Sequence, residues 1–205
     1  DRTTFDAVRE LVYRTSGITL GPQKLTMVRA RLGKRLRALG LSDHRAYLQR
    51  LHDDPEEVLE LLDAISTNVT AFYREEVHFT ILAEHLAALR AADQSRIRIW
   101  SAASSTGEEP YSIAITACEA LGLPPRDCRI LATDISRRAL ASLDAGRYPA
   151  DRLEAVPTAL RRSYFRTDDG GASFRVRPEL RSLILGKRLD LSSPPFPMRG
   201  PLDAV

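Results

Sequence analysis

The sequence predicts an α/β protein in which an all-helical N-terminal domain precedes a parallel-sheet domain. Three observations carry the prediction. Across the first ninety or so residues, apolar side chains recur every three to four positions, the mark of amphipathic helices. From residue 96 the pattern changes to RIRIWSAASSTGEEPY: alternating Ile97 and Ile99, then small residues around Gly107, then a helical pattern from Tyr111. A second strand, residues 129–133, closes with Asp134. A strand turning through small residues into a helix, followed by a strand ending in an acid, is how open α/β sheets cradle nucleoside-type cofactors.

Taken in order, Phe5, Val8, Leu11 and Val12 form one helical stripe, stopped at Ser16-Gly17. After Gly21-Pro22, a helix over about 23–39 places Leu25, Val28, Leu32, Leu36 and Leu39 on one face and exits at Gly40. Ser42 or Asp43 caps the next helix. Asp53 and Asp54 precede Pro55-Glu56-Glu57, where acids and a first-turn proline suit a helix start. Val58, Leu61, Leu62 and Ile65 then face inward. Beyond the polar string TNVT, Phe79, Leu82, Leu86 and Leu89 are in helical register. Ala114, Ala117, Cys118 and Leu121 line the helix after the central turn, and Ser136 caps another that runs to Gly146. A further helix ends near Tyr164. Asp168-Asp169-Gly170-Gly171 is a turn signal before a short β excursion, and residues 183–189 read as a third sheet strand. Leu202-Asp203-Ala204-Val205 reads as another strand beginning. Three parallel strands alone would leave an apolar edge open, so the expectation is a fragment of a longer protein, unable to turn over alone, with the C-terminal half of the sheet absent from this chain.

Composition narrows the class. Of 205 residues, 43% are apolar and 28% charged, which suits an ordinary water-exposed domain with a real core. No window approaches a membrane span, so no direct membrane insertion is expected. The first residues show neither a basic start nor an apolar signal core, and a cytoplasmic location is expected. Cys118 and Cys128 have no ligand-like spacing, and His44, His52, His78 and His85 form no metal pattern. The net charge of +3 is uneven: residues 24–50 hold eight Lys or Arg against Asp43 alone, a net of +7.

The central turn selects its ligand by charge. A dinucleotide pyrophosphate needs several glycines for close backbone approach. This turn has only Gly107 and adds Glu108 and Glu109, which would repel phosphate. Asp134 can accept ribose hydroxyls, and N–H groups at the helix start can meet other polar atoms. A phosphate-free, positively charged nucleoside such as S-adenosylmethionine fits.

The strings TNVTAFYRE (67–75), SAASSTGEEPYSIAI (101–115) and ATDIS (132–136) resemble the CheR-type chemoreceptor glutamate methyltransferase family, and the likeness spans nearly the whole chain. The resemblance implies a Rossmann-like methyltransferase domain. The expected division is a helical substrate-recognition domain at 1–66, a linker segment and helix at 67–95, and an S-adenosylmethionine-binding domain at 96–205. Within the last, a small inserted β subdomain falls at about 165–182. It also implies an S-adenosylmethionine-dependent O-methyltransferase, using no metal and acting on glutamates in the cytoplasmic methylation region of chemoreceptors. By position, Asn68, Thr70, Arg74, Glu109, Asp134, Asp190 and Leu191 match cofactor contacts, with Asp190 standing where the family often has asparagine. A glutamate carboxylate ionises near pH 4.3 and needs no general base. Arg74 is therefore the expected catalytic residue in an orienting role, since a guanidinium pairs with carboxylates in a fixed fork.

Arg31, Lys34 and Arg35 of the basic stretch are the expected docking residues for glutamate-rich receptor helices. A nucleic-acid methyltransferase would use the same patch for phosphates. Against it, Tyr47 is the stretch's only interleaved aromatic, and no RNA-reading motif is present. A non-catalytic cofactor sensor is the other alternative.

Overall fold

The first helices are α1 (Arg2–Ser16), α2 (Leu25–Leu39), α3 (His44–Asp53) and α4 (Pro55–Ile65) in the computed structural model, which describes residues 2–66, 69–122 and 127–205. Short polar side chains fix two of their starts. Asp43 accepts the N–H groups of Arg45 (2.7 Å) and Ala46 (2.9 Å), and Asp54 accepts that of Glu56 (3.0 Å). Each acid meets donors that a first helical turn leaves unpaired. Gly40, at φ 66°, ends α2 in the left-handed conformation that glycine adopts without a steric penalty.

The stripes read from the sequence form the core of this unit. Val8, Val12, Val28, Leu32, Leu61 and Leu62 are almost completely buried. A polar cluster crosses from α2 to α4: Arg35 grips Glu57 through Nε–Oε1 (2.9 Å) and Nη2–Oε2 (2.5 Å) and reaches Glu60 at 3.3 Å. The Tyr47 hydroxyl donates to Glu57 at 2.8 Å. Burial, then that hydrogen bond, pushes the Tyr47 phenol well above its usual range. Tyr47 is thus a core residue and no part of a basic surface. Residues Asp190–Phe196 belong to the same compact unit as Asp1–Thr67. A Cβ added at Gly17 would meet Ser192 at 2.7 Å, so that approach requires glycine.

The second unit comprises Asn68–Leu189 and Pro197–Val205. It runs α5 (Val77–Ala91), β1 (Ile97–Ala102), α6 (Glu108–Leu121), β2 (Cys128–Asp134) and α7 (Arg137–Ala145). Then follow β3 (Arg147–Pro149), α8 (Thr158–Tyr164), β4 (Phe165–Asp168), β5 (Ser173–Val176), α9 (Pro178–Arg181) and β6 (Ile184–Arg188). The main sheet is parallel in the order β1-β2-β6, with Ile99, Ile130 and Ile184 in register. On the free side of β1, Ala204 forms a parallel bridge to Ile99, where the sequence suggested a new strand. Ile97, Ile99, Ile130 and Ala132 are buried against the apolar face of α6, whose Ala114, Ile115 and Ala117 have no measurable exposure. Burying such side chains is worth about 1.5–3 kcal/mol for each large one.

Two segments differ from the sequence reading. The helix placed in a linker, α5, packs on α6 within this unit. The β insertion begins before residue 165: the second sheet is antiparallel in the order β3-β5-β4, with Tyr148 opposite Phe174. Three residues ending in proline carry no periodicity, so β3 gives no signal until its partner strand is known.

Candidate cofactor-binding site

Beyond β1 the chain turns through residues 103–107 into α6. Ala103 (φ 61°), Ser105 (φ 49°) and Gly107 (φ 103°) all adopt left-handed backbone. For the two non-glycine residues this costs about 1–3 kcal/mol each and persists only where the surroundings impose it. Here the end of β2 imposes it. Ser104 N–H donates to the Thr133 carbonyl, and Ser105 N–H to Asp134 Oδ2, both at 2.8 Å. The other carboxylate oxygen accepts Ser136 N–H at 2.8 Å. Asp134 is 8% exposed, and each oxygen keeps lone-pair capacity beyond its one backbone donor.

The paired glutamates divide their work. Glu108 is buried, accepting from Thr106 Oγ1 at 2.6 Å and lying 3.6 Å from Arg152 Nη1. Glu109 is exposed and accepts from Ser101 Oγ at 2.7 Å. So one acid of the turn, rather than two, is presented outward.

Arg74 lies in a second strained turn. Its neighbours Tyr73 (φ 53°) and Glu75 (φ 59°) are both left-handed. The turn is pinned where Phe72, 1% exposed, packs edge-on against Tyr148 and Phe165, with ring centroids at 5.0 and 5.7 Å. The exposed Arg74 side chain donates to the Val69 carbonyl at 3.0 Å. Arg74 and Glu109 line the same cavity, of about 470 Å³, together with His78, His85, Trp100 and Ala102. Asp134 lies outside that lining, one strand over, joined to it by the 103–107 turn. Thr70 is half-buried, and its carbonyl accepts from Arg152 at 3.0 Å.

These residues fit S-adenosylmethionine. The hydroxyl oxygens of Ser104 and Ser105 are buried in the turn with no hydrogen-bond partner among the described residues, a costly state that a polar ligand would relieve. Asp134 supplies acceptors suited to ribose hydroxyls, and Glu109 supplies the negative charge that favours a sulfonium and an ammonium.

Asn68 lies outside the described residues. Asp190 and Leu191 fall in the helical unit; the Asp190 carboxylate accepts Ser192 N–H (2.8 Å) and Oγ (2.7 Å), and Leu191 is 42% exposed. Of the residues expected to dock receptor helices, Arg31 donates to the carbonyls of Ile65 (2.5 Å) and Ser66 (3.1 Å), where α4 ends, and Arg35 holds Glu57. Lys34 is exposed. Sequence reasoning missed Ser112, Tyr148 and Arg152, which brace the two turns. Ser112 stands inside the recognised string; Tyr148 and Arg152 stand where no periodicity draws attention.

Fold and turn together define a nucleoside-cofactor-binding α/β protein with a helical N-terminal unit. Residues 68–205 match the family profile "CheR methyltransferase, SAM binding domain", and residues 3–66 match "CheR methyltransferase, all-alpha domain". The chain is 41% identical over 206 residues to chemotaxis protein methyltransferase 2 of Pseudomonas aeruginosa, covering 100% of this chain and 73% of that protein. It is 40% identical over 205 residues to the chemotaxis protein methyltransferase of Salmonella typhimurium, covering 98% and 70%. For that of Escherichia coli the identity is 38% over 205 residues, with the same coverage. The chain belongs to the CheR methyltransferase family. Among the described residues, no helix is long and apolar enough to cross a membrane, and no group of three His, Cys, Asp or Glu could hold a metal ion.

Proposed function

We propose that this chain serves the S-adenosylmethionine-dependent methylation of glutamate side chains in the cytoplasmic methylation region of chemoreceptors. The observation that carries the reading is the convergence of Arg74 and Glu109 on one cavity beside the Asp134 turn. Bound there, S-adenosylmethionine supplies an electrophilic methyl group on a positively charged sulfur. The methyl would pass to an ionised receptor carboxylate oxygen, a C–O bond replacing the C–S bond and leaving a neutral thioether. No proton moves.

The protein's part is to hold and to dry. Asp134 and the 103–107 turn seat the nucleoside; Glu109 faces the cofactor's positive charge. Arg74, fixed between two strained residues, orients the incoming carboxylate. Full ion pairing would weaken the nucleophile, so Arg74 positions rather than activates. Holding two reactants in line can be worth about 7–11 kcal/mol of the barrier. Lys34 is the docking residue that the helical unit leaves exposed to steer an acidic receptor helix.

The test uses the full chain, methyl-labelled S-adenosylmethionine and a receptor methylation region. A carboxyl methyl ester releases its label as methanol in alkali. Label that survives alkali, or that enters nucleic acid instead, would contradict the reading.

A further inference from the structure

Arg152 stands in the short 3-10 turn Ala150–Leu153 that follows β3, inside the inserted β segment. Its Nη1 reaches, at once, two segments that carry residues of the cofactor site. It donates to the Thr70 carbonyl at 3.0 Å, on the segment leading to Arg74. It also lies 3.6 Å from Glu108 Oε1, in the first turn of α6 beside Glu109. Glu108 is 1% exposed, and an ionised carboxylate so buried is costly without a cation. Among the described residues, Arg152 is the one cation paired with it.

A second residue of the insert acts alongside. The Tyr148 hydroxyl donates to the Thr106 carbonyl at 2.8 Å, and a Cβ at Gly107 would meet that hydroxyl at 2.6 Å. Tyr148 therefore backs the turn while its ring packs on Phe72, next to the Arg74 turn.

We infer that Arg152 is a positioning residue for the cofactor site, so that the inserted β segment is a structural part of that site. The inference rests on the reading of the turn as the S-adenosylmethionine seat. Arg152 acts through Thr70 and Glu108 and touches no reacting atom. A solvent-facing ion pair of no consequence is the competing account, since such pairs often contribute little.

The full chain and its Arg152→Ala and Arg152→Lys variants decide between them. Three quantities are read: S-adenosylhomocysteine affinity by calorimetry, KM for S-adenosylmethionine against kcat, and amide exchange of residues 70–74 without ligand. Arg152→Ala should weaken binding and raise KM by roughly tenfold or more while kcat changes less, because a charge-assisted contact that places the binding wall is lost. Exchange at 70–74 should quicken, and Arg152→Lys should recover part of each loss by keeping the cation. Unchanged affinity and exchange in Arg152→Ala would overturn the inference while leaving the site assignment intact. A lowered melting temperature with KM unmoved would overturn it too. Failure of the unaltered protein to bind would overturn the site assignment and this inference with it.

Discussion

The backbone N–H of Tyr73 donates to Ser112 Oγ at 3.0 Å, tying the turn that carries Arg74 to the buried face of α6. Ser112 has no exposure and donates its own hydroxyl hydrogen to the Glu108 carbonyl at 2.7 Å, so its lone pairs are free for the incoming donor. Ser112→Ala removes that acceptor and leaves the N–H of a strained residue unpaired. The expected cost is about 1–3 kcal/mol in urea unfolding. A fall in kcat/KM should accompany it, because Arg74 loses its anchor.

In the helical unit, Glu57 is the shared acceptor of Arg35 and Tyr47. Glu57→Ala strands the buried phenol and leaves the guanidinium its longer contact with Glu60, at 3.3 Å. Breaking such a pair costs about 3–5 kcal/mol, and denaturant unfolding of the variant should show a loss of that order.

Lys34 offers the contrast. It is exposed, so Lys34→Glu should change stability by no more than about 0.5 kcal/mol. Receptor methylation should nevertheless slow at low salt, and its salt dependence should flatten, because steering between exposed charges is screened. An unaltered rate at low ionic strength would remove the docking role.

Burial pushes the thiols of Cys118 and Cys128 up, to about 12 and about 11. In the unfolded chain they ionise near about 8.5. The folded state therefore holds these protons more tightly above that pH. This contribution is intact below about pH 8.5 and is lost as pH rises toward the folded values. At pH 8 a thiol reagent should find neither cysteine in the native protein and both in urea.

Much of this was legible in the sequence, for a physical reason. Helices α1 to α5 each bury one stripe, so Val28, Leu32 and Leu36 announce their spacing, and Asp43, Asp54 and Ser136 announce the starts they cap. Asp134 was legible because it ends a buried strand. What stayed hidden depends on pairing between distant residues. Nothing near Arg35 says that Glu57 will claim it, so the basic stretch read as more open than it is. Glu108 and Glu109 are adjacent and alike in type, yet only the fold shows that one turns inward to Arg152. The left-handed backbone at Tyr73 and Glu75 was equally silent, since neither residue type favours it.

The central claim is that the Asp134 turn seats the nucleoside, and calorimetric titration of S-adenosylhomocysteine tests it most directly. The unaltered chain should bind, and Asp134→Ala, with circular dichroism confirming its fold, should lose about 1–3 kcal/mol of binding free energy as ribose hydroxyls go without their acceptor. Equal affinity in the two proteins would contradict the account.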